Sequence, residues 1–392
     1  MAMRRWPIIT PDDRAAVLRV LDRGVLSGAG APEMKALETE FAATLGGGLS
    51  LATNSGTSAL HIAIGALGLK PGDEVIVPAL SFIATAQAVL HEGAVPVFAD
   101  VDPVTYNIDP SDIARRITPR TRAIVPVHLH GLPADMDEIN AIAARAGAVV
   151  IEDAAQAHGA LYRGRPVGTL AAMSAFSLNS TKNFPAGEGG LFFTGAEKLW
   201  ARAARVRFDG LEPPSKWDAE RPLDDEADSL ATVRGWMYLP GEMTCAFARS
   251  QLTRLPETTE RARANGARLT ARLSGLPGVI APAIPGDRTH VFHKYRVQVD
   301  PDAAGVRLSR RALIDRMLDA LRAEGVEVVL WQQVPLPAHP LFGSKEDYPG
   351  ATRALEASLI IGSQSYPLFA QPPDVVDAWG DAFERVWRSL RS

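Results

Sequence analysis

The segment Ala175-Phe-Ser-Leu-Asn-Ser-Thr-Lys182-Asn183, followed by Gly187-Glu-Gly-Gly190, sets a lysine in a polar turn just past an apolar run. At its ordinary pKa of about 10.4 a lysine is protonated and a poor nucleophile. Desolvation or a neighbouring cation lowers that value and frees the amine for imine formation with a carbonyl. Alone, such a lysine reads first as a solvated loop residue, so its standing depends on the chemistry around it. The run Val149-Val-Ile-Glu152-Asp153-Ala-Ala-Gln156-Ala-His158 ends an apolar strand pattern in two carboxylates. In open α/β sheets the ligand crevice lies outside the carboxyl ends of the strands, which puts Asp153 where a carboxylate can hold a bound ring nitrogen protonated. Both carboxylates could instead cap the helix that follows.

Asn54-Ser-Gly56-Thr57-Ser58 opens a helical pattern with small residues, offering free backbone N–H groups and hydroxyls to an anion. Its simpler reading is an N-cap by Ser55 or Thr57. Ser177, on the strand ahead of Lys182, could add a hydroxyl to the same anion. In Pro78-Ala-Leu-Ser-Phe82-Ile-Ala-Thr, Phe82 follows a strand end, where an aromatic ring can stack on a planar ligand or simply join the core. His128-x-His130 is the one close histidine pair; alternate strand residues share a face, but no Asp, Glu or Cys cluster completes a metal site, and no metal is expected. No nucleophile elbow, P-loop or dinucleotide-binding glycine motif stands in its required context.

Positioning these groups calls for a layered frame. From Pro32 to Arg205, short apolar runs alternate with helical periodicity. Strands are expected at Glu74–Pro78, Val95–Ala99, Ala123–Val127, Val149–Glu152, Ala175–Leu178 and Gly190–Thr194. Helices are expected at Met34–Leu45, Gly56–Leu67, Ala84–His91, Met136–Ala146 and Ala196–Arg207. Strands apolar throughout, separated by helices, imply a mostly parallel sheet covered on both faces, an α/β fold. Asp209–Val233 reads as a long surface loop. Met243–Leu273 reads as one long helix bent near Pro256, followed by strand His290–Val299, helix Arg307–Glu324, strand Val326–Leu330 and a closing helix Asp374–Leu390. The expected division is a large domain over 1–240 and a smaller C-terminal α+β domain over 241–392.

The chain has 392 residues with a formal net charge of −4, and no basic run suggests nucleic acid or an anionic membrane as partner. Met1–Asp13 lacks the apolar core of a signal peptide, and no apolar run reaches the ~20 residues of a membrane span. Cys245, the only cysteine, lies in an apolar helical pattern and reads as a small core residue. A cytoplasmic location is expected.

Taken together the motifs resemble the DegT/DnrJ group of sugar and cyclitol aminotransferases, enzymes of fold type I that depend on pyridoxal 5′-phosphate. The matching stretches are Asn54–Leu60, Pro71–Pro78 with Phe82, Pro126–Gly131, Glu152–His158 and Phe176–Asn183 with Gly187–Gly190. The resemblance implies a large domain with a seven-stranded type of sheet. It implies that Lys182 carries the cofactor as a Schiff base, then serves as base and acid in the proton shift. Asp153 would hold the pyridine nitrogen protonated, Gln156 would lie near the ring hydroxyl, and Phe82 would stack on the ring. Gly56, Thr57 and Ser177 would bind the phosphate. Further implications are pyridoxamine 5′-phosphate as the intermediate cofactor form, glutamate or glutamine as amino donor, a keto-sugar or keto-cyclitol of secondary metabolism as acceptor, and a homodimer with shared sites.

One segment departs from the group's pattern. Where Gly-Tyr-Asn-Tyr-Arg-Met is usual, this chain reads Gly235-Trp-Met237-Tyr-Leu239-Pro, without the Asn and the Arg. Loss of a charged donor weakens anion recognition; Lys294 or His290 are the candidates to compensate. Two other readings are a sugar dehydratase of the same fold, which the retained Lys182 opposes, and a catalytically idle cofactor-binding regulator, which Met237 and Leu239 favour.

Overall fold

The computed structural model describes residues 2–213 and 230–391. Its main sheet contains β1 (Leu49–Thr53), β2 (Glu74–Pro78), β3 (Val95–Ala99), β4 (Thr121–Ile124) and β5 (Val149–Asp153). A short ribbon of β6 (Leu161–Tyr162) and β7 (Arg165–Pro166) precedes its last two strands, β8 (Met173–Ser177) and β9 (Gly190–Thr194). The order across the seven strands is β1-β9-β8-β5-β4-β2-β3. β9 runs antiparallel to both its neighbours, and every other pairing is parallel.

The physical reason is burial on both faces. β2, β8 and β9 are buried at every position, so each needs helices above and below. One face packs on the helices Gly56–Gly65, Ala84–His91 and Glu197–Arg207 through Leu60, Ile64, Val89 and Val206. The other packs on Pro32–Thr44, Met136–Ala146 and Glu242–Leu252 through Phe41, Ile139 and Ala248, with Cys245 fully buried among them.

The second body is an antiparallel sheet of β10 (Val279–Ile280), β11 (Tyr295–Val299), β12 (Val328–Val329) and β13 (Ser358–Ile361), in the order β10-β11-β13-β12. Helices Leu255–Leu273, Arg310–Ala323 and Pro373–Arg391 close its core around Leu269, Met317 and Trp387.

Two expectations change, and a third lies mostly outside the described residues. Met243–Leu273 is two helices, Glu242–Leu252 and Leu255–Leu273, because Pro256 sits in the first turn of the second. There its missing N–H has no partner to lose, so proline starts a helix instead of bending one. The strand expected from His290 begins only at Tyr295, since Phe292 takes a left-handed φ of 44° and breaks the extended run. Of the loop over Asp209–Val233, residues 214–229 lie outside the described residues; its ends meet where the Thr232 N–H donates to the Gly210 carbonyl at 3.0 Å.

Glu242 ties the helix it opens to the large body. The helix Pro32–Thr44 has no side-chain cap of its own at Ala31, and the Glu242 carboxylate accepts the N–H groups of Glu33 and Met34, both at 2.8 Å. We therefore propose to draw the division between the two bodies after Leu252, one helix later than residue 240. No helix among the described residues is long and apolar enough to cross a membrane.

Candidate active site

A cavity of about 490 Å³ opens at the carboxyl ends of β1, β2, β5 and β8, and Gly56, Thr57, Phe82, Asp153, Gln156, Ser177 and Lys182 all line it. Gly56 and Lys182, 126 positions apart, are thus brought together by sheet order: β8 lies beside β5, and β9 brings β1 to the other side of β8.

The rim nearest β1 is an anion cradle. Ser55, in an extended conformation, caps the helix Gly56–Gly65 by accepting the Ser58 N–H at 3.1 Å, as the simpler reading of this motif required. The first N–H groups, on Gly56 and Thr57, have no intrahelical acceptor and face the cavity wall they help to form. Two glycines permit this closeness. A Cβ on Gly56 would stand 2.6 Å from the Ser177 Cβ, and one on Gly190 would stand 2.3 Å from the Ser55 carbonyl oxygen.

On the floor, the adjacent carboxylates of β5 point to opposite sides. Glu152 turns away from the cavity and accepts N–H groups from Gly168, Leu170 and Ala171 at 2.8, 2.7 and 3.0 Å. It also takes the Nε2–H of His128 at 3.0 Å, while His128 Nδ1 accepts the Ala134 N–H at 3.0 Å. His128 is therefore a satisfied structural residue. His130 has a left-handed φ of 59° that breaks the strand alternation, and no group of three or more metal-capable side chains exists among the described residues.

Asp153 faces the cavity. Its Oδ2 accepts the Thr85 hydroxyl at 2.8 Å and its Oδ1 the Ala155 N–H at 3.2 Å. Burial dominates and raises its pKa, against the lowering effect of these bonds and of the Lys182 charge. Such a carboxylate is stabilised as an anion by a cation set against it, which a protonated ring nitrogen would supply. Thr85 was not foreseen as part of the site. The signal is a spacing of four: Ser81 and Thr85 lie one helical turn apart, and their hydroxyls bond each other at 2.9 Å beneath Asp153.

Lys182 is held through its backbone. Its N–H donates to the Asn179 carbonyl at 2.9 Å, and its own carbonyl accepts the Trp6 indole N–H at 3.0 Å. Its ammonium has no hydrogen bond or ion pair among the described residues. Burial lowers its pKa to about 8, against the pull of Asp153 and Glu188. Gln156 Oε1 accepts the His130 N–H at 2.8 Å, which leaves its amide N–H groups as the polar edge offered to the cavity. Phe82 presents its ring with 57% of its surface exposed, unusual for an aromatic with no partner and suited to stacking.

The small body contributes His293, Trp331 and Gln364, which no local motif announced, and Lys294, one of the two candidates to compensate; all four line the same cavity. His290 does not. Its ring stacks on Phe292 at 4.1 Å, its Nδ1 accepts the Phe292 N–H at 2.9 Å, and burial pushes it down to about 3, so it supplies no positive charge. Of the two proposed compensators only Lys294 reaches the site. Met237 and Leu239 lie off the cavity, Met237 half-exposed in a bridge to Phe208 and Leu239 against the core.

A partnerless amine, a buried carboxylate behind a hydroxyl relay, a bare ring and an anion cradle fit pyridoxal phosphate feature for feature. The comparisons agree. The chain matches the DegT/DnrJ/EryC1/StrS aminotransferase family over residues 7–368. It is 35% identical to the dTDP-3-amino-3,4,6-trideoxy-alpha-D-glucose transaminase of Streptomyces venezuelae, covering 95% of this chain and 92% of that protein. It is 36% identical to the L-glutamine:2-deoxy-scyllo-inosose aminotransferase of Micromonospora echinospora, covering 89% and 81%. The X-ray structure of an aminotransferase from Psychrobacter cryohalolentis superposes over 100% of both chains with a TM-score of 0.88 at 30% identity. The chain belongs to the DegT/DnrJ/EryC1/StrS family and is a pyridoxal-phosphate-dependent aminotransferase of the sugar and cyclitol kind, with the fold-type-I architecture.

Proposed function

We propose that the enzyme moves an amino group from glutamate or glutamine to the ketone of a nucleotide-linked sugar or a free cyclitol, with the roles below. The observation that carries this reading is the convergence of Lys182, Asp153, Phe82, Ser177 and the Gly56-Thr57 helix start on one cavity. Bound pyridoxal phosphate supplies a ring that draws electrons from the carbon bearing the amine. Asp153 keeps the ring nitrogen protonated, and Thr85 fixes the carboxylate's orientation. Lys182 Nζ, with its pKa near 8, takes the proton from the donor's α-carbon and returns one on the acceptor side. Phe82 packs on the ring face, Gln156 offers an N–H to the ring's oxygen, and Gly56, Thr57 and Ser177 hold the phosphate.

The names of the two relatives support both acceptor classes, one a nucleotide-linked sugar and the other an inosose, and the second supports glutamine as donor. A homodimer in the cytoplasm completes the reading. The exposed Leu26, Phe82, Met237 and Met243 support a second copy packing near the site, since such apolar groups favour burial. The test is a two-stage assay: loss of the lysine-bound cofactor absorbance with glutamate or glutamine, then its return with keto-sugars and keto-cyclitols. No response to any common α-amino acid would sink the aminotransferase reading for this site.

Gly56 offers a sharper check on the cradle. In Gly56→Ala the new methyl would stand 2.6 Å from the Ser177 Cβ, closer than two carbons can pack, so either the helix start or β8 must shift. Pyridoxal phosphate should bind the apoprotein at least tenfold more weakly, a cost of ~1.4 kcal/mol, in a fluorescence titration. Unchanged affinity would remove Gly56 from the cradle.

A further inference from the structure

The described structure holds a second ammonium facing the cavity, on Lys294, just ahead of β11. It has no hydrogen bond or ion pair from its side chain among the described residues. The carboxylates within the cavity are already engaged: Asp153 by Thr85 and Ala155, and Glu188 by the Asn179 amide at 2.8 Å. Behind Lys294 lies a small space lined by Tyr106, His130, His290 and Arg296, and no carboxylate lines it. Arg296 is buried over the rings of Tyr106 and Trp331, 5.1 and 5.8 Å from their centroids, and donates to the carbonyls of Ala354 and Trp331. It too lacks an acidic partner among the described residues. Asp153 and Glu188 partly offset the Lys182 charge, but Lys294 and Arg296, which adjoin it, have no carboxylate set against them among the described residues, an arrangement that favours an anionic ligand.

We infer that Lys294 binds the α-carboxylate of the amino donor. The placement selects this anion over others. An α-amino acid carries its carboxylate on the very carbon that Lys182 must deprotonate, so an anion that reaches that carbon lies between the two ammoniums. The phosphates of a nucleotide-linked sugar stand a sugar ring away from its ketone, towards the cavity mouth, and a cyclitol has no anion at all. Arg296, fixed behind, repels the Lys294 ammonium towards the cavity and cannot itself reach in, since both its bonds are to carbonyls of the small body. Burial together with Lys182 and Arg296 holds Lys294 down near 8, and an arriving carboxylate would draw it back up. Lys294 thus serves the donor half of the cycle and leaves the acceptor half largely untouched.

This assignment rests on the proposed function, and the experiment separates the two. Holoenzyme of wild type, Lys294→Met and Lys294→Arg is mixed with the amino-acid donor in single turnovers, and each is also titrated calorimetrically with maleate, an unreactive dicarboxylate. Lys294→Met should weaken both the apparent donor affinity and maleate binding about thirtyfold, as loss of a charge-assisted contact does. Lys294→Arg should keep both within several-fold, and the KM for the keto acceptor should stay within threefold in both variants. Retained cofactor absorbance and melting temperature show that the variants are folded. Donor or maleate affinity within threefold of wild type in Lys294→Met, an equal loss for the keto acceptor, or a wild type that does not bind maleate overturns the assignment. A wild type that binds maleate through Lys294 yet responds to no amino acid sinks the proposed function alone.

Discussion

Lys182→Ala should abolish the half-reaction, lowering its rate by more than about 10³-fold, or ~4 kcal/mol, while the protein remains folded. The size follows from two losses at one atom: the covalent tether for the cofactor and the group that moves the proton. Stopped-flow absorbance with saturating donor measures it. A variant with full turnover would show that Lys182 is a loop lysine after all. The same substitution has a thermodynamic signature in the apoprotein. Lys182 and Lys294 both sit near 8, below the ordinary 10.5, so between these values the unfolded chain binds more protons than the folded one. Stability must then rise with pH across that window. The rise should fall to less than half in Lys182→Ala, since the Lys182 charge also helps to depress Lys294, with a melting temperature at neutral pH no lower than wild type, because a desolvated charge has been removed.

Asp153→Asn should reduce kcat by about 100-fold or more, in the range typical when one preorganised electrostatic partner is lost, with cofactor content preserved. Asparagine fills the same volume and can still meet Thr85, so the loss isolates the negative charge. Stability should move the other way. The raised pKa of Asp153 means that its ionised form opposes folding once the pH exceeds the ordinary carboxylate value, through its elevated folded value. At neutral pH the Asp153→Asn apoprotein should therefore melt at or above the wild-type temperature. A variant that loses both stability and activity would point to a structural role like that of Glu152.

Much of this was legible in the sequence, and the exceptions have physical causes. β2, β3, β9 and the helices Ala84–His91 and Met136–Ala146 begin and end where the apolar pattern does; β2 and β9 are buried on two faces and leave an unbroken hydrophobic run, and the helices show the period of a one-sided apolar face. β1, with Ser50, Ala52 and Thr53, carries too little apolar bulk to stand out, yet the sheet needs it to bring the anion cradle beside Ser177. The seven site residues read from motifs all reach one cavity because each sits within a few residues of a strand's carboxyl end. The residues from the second body were harder to see. Lys294, Trp331 and Gln364 reach the cavity through domain packing, which has no local periodicity, and His290 was misplaced because the turn at Phe292 hides it from the site.

The indole of Trp6 has a further use. It bonds the Lys182 carbonyl, its ring meets Phe369 edge-on at 5.0 Å, and its backbone N–H donates to the Ser365 carbonyl at 2.9 Å. A residue near one end of the chain is thereby a luminescent probe fixed between the reactive loop and the second body, with Trp331 in the cavity wall as another. Cofactor arriving at Lys182 lies within energy-transfer range of both, so quenching of tryptophan emission reports loading of the enzyme without any label. Substituting Trp6 and Trp331 by phenylalanine, one at a time, would show how much of that signal comes from the loop and how much from the wall against the other five tryptophans.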